Sequence, residues 1–187
     1  MNILEKKTST EIKYWNNYYE SERAMQKPSS FARYCLSSID KQNTLVEFGC
    51  GNGRDSLYFS RNNIKVIALD RSVVAIKKNE LKTPSKVRFL HQDFTSIPDS
   101  FAKYKIGTVY SRFTLHSVNK EGYDKALISA YRLLEQNGKF LIEARTVNDP
   151  LFGIGKPCPN NGFIHTCLLY TSPSPRDATL SRMPSSA

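Results

Sequence analysis

The residues most able to do chemistry sit in one short stretch, Glu47-Phe48-Gly49-Cys50-Gly51-Asn52-Gly53, directly after the start of the apolar run TLVEF. Alternating glycines admit positive φ and let a ligand reach backbone N–H groups with no Cβ in the way. The carboxyl end of a first strand is where open α/β sheets bind ligands. Asp70 closes the next apolar run, near the offset of ~20 residues at which an acid accepts both ribose hydroxyls in such folds. Its competing role is to cap the following helix, for which Ser72 is better placed. His116, with an ordinary pKa of ~6.5, could take a proton from an acceptor near neutrality, against the plainer role of a packing histidine. Cys35, Cys50, Cys158 and Cys167 form no CxxC pair and are accompanied by three histidines. That pattern suggests neither a zinc site nor a disulfide framework, and no metal is expected.

These residues need a scaffold, and its pattern is visible from Asn43 onward. The runs TLVEF, IKVIALD, KVRFLHQD, KIGTVYSR and GKFLIEAR alternate with helically spaced stretches at Arg54 to Asn62, Ser72 to Leu81 and Glu121 to Glu135. Such alternation predicts βαβ units on a parallel sheet, hence an α/β chain. Asn137-Gly138 is read as the stop between the last helix and the fifth strand. Asp55, in the first turn of the helix after the glycines, complements the helix dipole and needs no catalytic role. The first forty residues predict one or two helices, the second opened by Pro28-Ser29-Ser30. The aromatic group Tyr14, Trp15, Tyr18 and Tyr19 is read as the packing face of the first helix rather than a ligand contact.

The spacing of the glycine turn discriminates between ligand classes. A dinucleotide fingerprint is GxGxxG, whereas this turn is GxGxG preceded by an acid. It resembles motif I of class I S-adenosylmethionine-dependent methyltransferases. GCGNGRDSLYF in particular looks like the tellurite-resistance and small-molecule branch of that superfamily. The resemblance runs roughly from Tyr14 to Gly155. It implies a Rossmann-like three-layer sandwich with a mostly parallel sheet and N-terminal helices, and S-adenosylmethionine as cofactor. By the same resemblance, Glu47, Gly49, Cys50, Gly51 and Gly53 would form the cofactor turn, with Asp70 and Arg71 at the ribose. Asp93 would accept from the adenine amino group and Phe94 would line the ring. The segment YSRFTLH corresponds to the family's motif IV, so Ser111 and Arg112 would face the methionine half of the cofactor and the methyl acceptor. Arg112 and His116 are the catalytic candidates. Arg145, followed by TVNDPLFGIGK, would form an acceptor-side loop able to recognise an anionic group. Motif IV carries neither the Asn/Asp-Pro-Pro-aromatic nor the Pro-Cys signature of base methylation. A small-molecule acceptor with an O, N or S nucleophile is therefore implied. The alternatives are a non-catalytic S-adenosylmethionine-binding module and an NAD(P)-dependent oxidoreductase.

Composition sets the outer bounds. With 187 residues, 40% hydrophobic and 24% charged, the chain suits one domain with a real core. The formal charge of +10 is scattered, with short doublets such as Lys6-Lys7 and Lys77-Lys78, which disfavours nucleic acid as a partner. No run approaches the ~20 apolar residues of a membrane span, and MNILEKKTSTE has no signal-like apolar stretch, so a cytoplasmic protein without membrane or obligate protein partners is expected. The character changes after Arg145. Residues Cys167 to Asp177 resemble translated read-through of a transposon-type sequencing adaptor, and Ser181 to Ala187 resemble its distal end. The expected organisation is a methyltransferase domain at 1–166, with a helical cap at 1–42, a Rossmann-like core at 43–155 and an incomplete C-terminus, then a non-native or disordered tail at 167–187. Because the family's sheet usually has seven strands, the fold is expected to be truncated after the fifth, leaving GKFLIEAR as an apolar edge. A poorly stable chain of reduced or no activity is the corresponding expectation.

Overall fold

The computed structural model describes residues 3–21, 24–82, 86–146, 148 and 154, with residues 3–11, 156–158, 162–165 and 168–170 described by their backbone alone. Five strands, β1 Thr44–Phe48, β2 Lys65–Asp70, β3 Val87–His91, β4 Ile106–Arg112 and β5 Leu134–Glu143, each fall on one of the expected apolar runs. They form a wholly parallel sheet in the order β3-β2-β1-β4-β5.

Successive strand side chains point to opposite faces, and the two faces carry separate cores. On one, Leu45, Val66, Ala68 and Tyr110 pack against Phe31, Ala32, Phe59 and Ile76. Those partners come from α2 Ser30–Cys35, α3 Arg54–Arg61 and α4 Val73–Glu80. On the other, Val46, Phe48, Ile67 and Val109 pack against Ala126 and Ala130 of α5 Lys120–Leu133. The result is the three-layer Rossmann-like sandwich expected from the sequence, preceded by α1 Ile3–Glu20.

The helix starts are chemically marked. Ser29 Oγ accepts from the Ala32 N–H at 2.9 Å, Ser72 Oγ from the Ala75 N–H at 3.1 Å, and Asn119 Oδ1 from the Gly122 N–H at 2.8 Å. Each such cap stabilises its helix by about 1 kcal/mol. The Asn137-Gly138 pair is not the helix stop it was read as. Helix α5 ends at Leu133, Leu134 already pairs with Ile106, and the register slips before Thr108 pairs with Lys139. Asn137, at φ 65°, lies inside that irregularity, so the turn chemistry produces a bulge in the edge strand.

Strands β6 Lys156–Cys158, β7 Gly162–His165 and β8 Leu168–Tyr170 form a separate antiparallel sheet in the order β6-β7-β8. The parallel sheet does stop at its fifth strand among the described residues, but strand structure continues, and β8 lies inside the segment expected to be a disordered or non-native tail. The rest of that tail, and most of the loop after Arg145, lie outside the described residues. No helix among the described residues is long and apolar enough to cross a membrane. Cys35 and Cys50 are free thiols.

Candidate functional site

The strand order reverses between β1 and β4, and the crevice beyond the carboxyl ends at such a switch point is where open α/β sheets take ligands. A cavity of about 460 Å³ opens there, within the range of about 300–1,000 Å³ usual for small-molecule sites. Its wall is supplied by residues at or just past the end of each strand: Gly49 to Asn52 after β1, Asp70 and Arg71 at the end of β2, Phe94 after β3, Arg112 to Thr114 at the end of β4, and Arg145 after β5.

The glycine turn is built as its sequence requires. Gly49 and Gly51 have φ of 68° and 53°, the left-handed region that side chains resist. A Cβ on Gly49 would meet the side chain of Thr114, and one on Gly51 would run into the Tyr19 hydroxyl. The Gly51 peptide is fixed on both sides: its N–H donates to Asp70 Oδ2 at 2.7 Å, and its carbonyl accepts from Asn79 Nδ2 at 2.7 Å. Asp70 Oδ1 accepts from the Ser72 N–H at 2.7 Å. Burial pushes the Asp70 carboxyl above its usual range, and the two backbone donors oppose that rise. Each of its oxygens keeps a second lone pair for a ligand hydroxyl.

Glu47 and Asp55 complete the acidic side of the wall. Glu47 is 4% exposed and accepts from the Ser56 hydroxyl; burial, then the charge of Asp55, push its pKa well up. Asp55 accepts from the backbone N–H and hydroxyl of Ser29, both at 2.7 Å, and from the Tyr110 hydroxyl at 2.9 Å. The residue that the sequence assigned to dipole compensation thus ties α2 to the sheet.

Some expected site residues are elsewhere. Asp93 does not line the cavity: its Oδ1 accepts from the Thr95 N–H and hydroxyl at 2.8 and 2.7 Å, and its Oδ2 lies 3.4 Å from Arg71 Nε. It makes the local turn that competes with a binding role for any Asp at a strand end. Ser111 is wholly buried within β4 and Gly53 sits behind the turn, where a Cβ would strike the Phe89 ring. His116 does not line the cavity either: the short 3-10 turn Leu115–Ser117 carries the ring inward, 5% exposed and edge-on to Phe113 at 5.8 Å.

Other residues are on the wall without having been expected there. Trp15, Tyr18 and Tyr19 line the cavity, with Trp15 stacked on Tyr19 at 6.1 Å and edge-on to Tyr18 at 5.8 Å. The Tyr19 phenol lies against the Gly51 turn, and burial there, then the charge of Asp70, raise its pKa. Their spacing on α1 identified a common face; nothing in it said what the face covers. Phe113 is the other addition. Its φ is 53°, its N–H donates to the Glu143 carbonyl at 2.8 Å, and the guanidinium carbons of Arg112 and Arg145 lie 4.1 and 4.8 Å from its ring centre. Among the described residues no group of His, Cys, Asp and Glu is placed to hold a metal ion.

Known structures share this architecture. The methyltransferase CcbJ of Streptomyces caelestis superposes with a TM-score of 0.59 at 17% identity, over 68% of this chain and 54% of that one. The glycopeptide N-methyltransferase MtfA, in complex with S-adenosylhomocysteine, gives 0.57 at 20% identity, over 65% and 50%. A SAM-dependent methyltransferase of Anabaena variabilis gives 0.55 at 20% identity, over 69% and 59%. At these identities the likeness is one of fold, and the chain spans about half the length of the structures it matches. No curated protein matches the sequence. The family model described as a methyltransferase domain matches residues 46–142, which takes in all five parallel strands but for the ends of the first and last, together with the glycine turn and the cavity wall from Glu47 to Val118. With the switch-point cavity and the acid-preceded GxGxG turn at its floor, the chain belongs to that methyltransferase-domain family.

Proposed function

We propose that this cavity binds S-adenosylmethionine and that the domain transfers its methyl group to the O, N or S nucleophile of a small molecule. The observation that carries the reading is the Gly51–Asp70 pair: a glycine turn with no room for side chains, clamped to a buried carboxylate at the end of the neighbouring strand. The residues present fit such a cofactor. The turn would take its amino-acid part, the spare lone pairs of Asp70 its ribose hydroxyls, and Phe94, stacked on Phe48 at 5.5 Å, an edge of its base. Trp15, Tyr18 and Tyr19 would close the cavity from the α1 side and exclude water. When bound, S-adenosylmethionine supplies an activated methyl on a sulfonium.

What the chain contributes is alignment and dryness. With His116 off the wall, the carboxylates that could accept a proton among the described lining residues are Glu47, Asp55 and Asp70, and each is already hydrogen-bonded. This favours an acceptor that is nucleophilic without a dedicated base. The small-molecule branch, tellurite-resistance-like, is supported by the wording of the turn, GCGNGRDSLYF, and by the scattered positive charge. A cytoplasmic location and a non-native tail after Thr166 belong to the same proposal.

Calorimetric titration of the 187-residue chain with S-adenosylmethionine and S-adenosylhomocysteine, beside Asp70→Ala, tests it. Binding lost in the variant is the expected result. Absence of binding, both in this chain and in one extended to the length of its structural relatives, would sink the reading; NADH binding in its place would favour an oxidoreductase. Cofactor binding without turnover on any acceptor pool would leave a binding module.

A further inference from the structure

We propose that Arg112 and Arg145, both held over the Phe113 ring, form an oxyanion subsite, so that the methyl acceptor is a small molecule bearing a carboxylate or a phosphate. The inference rests on the methyltransferase reading and names the substrate class of that site.

The argument begins with backbone strain. Phe113 is a bulky residue at positive φ, a conformation that persists only where surroundings over-determine it and that concentrates at ligand sites. Here the Glu143 carbonyl takes its N–H and two guanidiniums lie over its ring. The strained turn therefore gathers the ends of β4 and β5 around one aromatic face. Both arginines and Phe113 line the cavity.

The second step is the donor count. Arg112 Nε is paired with the Glu143 carboxylate, with the two side chains 19% and 25% exposed. A guanidinium has five N–H donors in a planar fork. With Nε engaged by Glu143, the terminal N–H groups are the part of the Arg112 fork left to meet a ligand. An oxyanion in the cavity would accept from them, in the charge-assisted geometry that the fork favours. Stacking on Phe113 pre-orders both forks, which lowers the entropic cost of using them.

The third step is polarity across the cavity. Its carboxylates, Glu47, Asp55 and Asp70, all belong to β1, β2 or the helix after β1, and none to β4 or β5. An anionic acceptor is thus repelled from the proposed cofactor's ribose side and attracted to the opposite wall, where its nucleophile would face the methyl.

The cofactor's own carboxylate is the competing occupant, and the test separates the two. The 187-residue chain is first saturated with S-adenosylhomocysteine, then titrated by NMR with sodium benzoate, with inorganic phosphate and with benzamide as the neutral control. We expect saturable binding of benzoate or phosphate, which also tells carboxylate from phosphate, and none of benzamide. Arg112→Lys and Arg145→Lys keep the charge but lose the fork, and should weaken anion binding to the loaded protein at least about tenfold. A single cooperative urea-unfolding transition in each variant certifies that it folds. Failure of both anions to bind the loaded protein, or equal anion binding by the lysine variants, would overturn the subsite. Loss of S-adenosylhomocysteine affinity in those variants would assign the arginines to the cofactor and overturn it too. If S-adenosylhomocysteine binds nothing at the outset, the methyltransferase reading falls and the subsite with it.

Discussion

The Gly51 N–H donates to Asp70 Oδ2 at 2.7 Å, so the carboxylate proposed to hold a ribose also locks the turn after β1 to the end of β2. With Ser72 N–H on its other oxygen, Asp70 is a structural clamp and a binding group at once. Asp70→Asn keeps one acceptor oxygen and turns an amide N–H against one of the two backbone donors. A buried donor left without a partner costs about 1–3 kcal/mol, so both Asp70→Asn and Asp70→Ala should lower the unfolding free energy by that order in urea titrations. Affinity for S-adenosylhomocysteine should fall more than about tenfold, since hydrogen bonds to a charged acceptor are worth roughly 1.5–3 kcal/mol. An Asn variant that binds as tightly as the parent would show that the carboxylate does not meet the ribose.

The seating of α1 on the glycine turn gives a second prediction. Gly51→Ala puts a side chain at φ 53°, at a cost of roughly 1–2 kcal/mol, and drives its Cβ into the Tyr19 hydroxyl. Tyr19→Phe removes that hydroxyl. In a cycle of the four proteins, the double variant should be more stable than the sum of the singles by about 1 kcal/mol, within the usual range for contacting residues. Strict additivity in urea unfolding would mean that the helix does not rest on the turn.

Legibility of the sequence followed the physics of each feature. Strand positions were readable because β-branched runs bounded by glycines and polar residues have few other structures to adopt, and the glycine turn was readable because GxGxG leaves no side chains where ligands approach. Helix α4 began where Ser72 could cap it. What failed depends on direction rather than pattern. Whether the ring of His116 points to a cavity or away is decided by one 3-10 turn, and Asp93 serves equally well as ligand or turn former until its Oδ1 is seen on Thr95. The face of Trp15, Tyr18 and Tyr19 was visible, but its neighbour is 30 residues or more away in sequence and no local periodicity encodes it. Asn137-Gly138 has the chemistry of a turn, yet the pairing of Leu134 with Ile106 pulled it into a strand. A positive φ at Phe113 contradicts its local preference, which is why no motif announced it.

Asp55 links three parts of the molecule through Ser29 and Tyr110, which predicts an effect on stability larger than that of an ordinary helix N-terminal acid. Asp55→Ala strands a buried serine and a buried tyrosine hydroxyl and should cost on the order of 3 kcal/mol in urea unfolding. Tyr110→Phe removes one donor and leaves the other two in place, so about 1 kcal/mol is expected. If the alanine variant loses no more than the phenylalanine variant, the attachment of α2 rests on its apolar face alone.

Glu47 supplies the pH dependence. Burial raises its carboxyl pKa from the ordinary 4.5, so the folded state holds this proton more tightly than the unfolded one. Its contribution to stability is then complete below about pH 4.5 and is lost as pH rises through the folded value. Glu47→Gln keeps an acceptor for the Ser56 hydroxyl and removes the titration. The melting temperature of the variant minus that of the parent should therefore grow as pH rises above about 4.5, the ordinary carboxyl value, and level off above the folded one. Melting curves taken across that range decide it: a difference that stays flat, or shrinks toward high pH, would mean that Glu47 reaches water and ionises as freely in the folded chain as in the unfolded one.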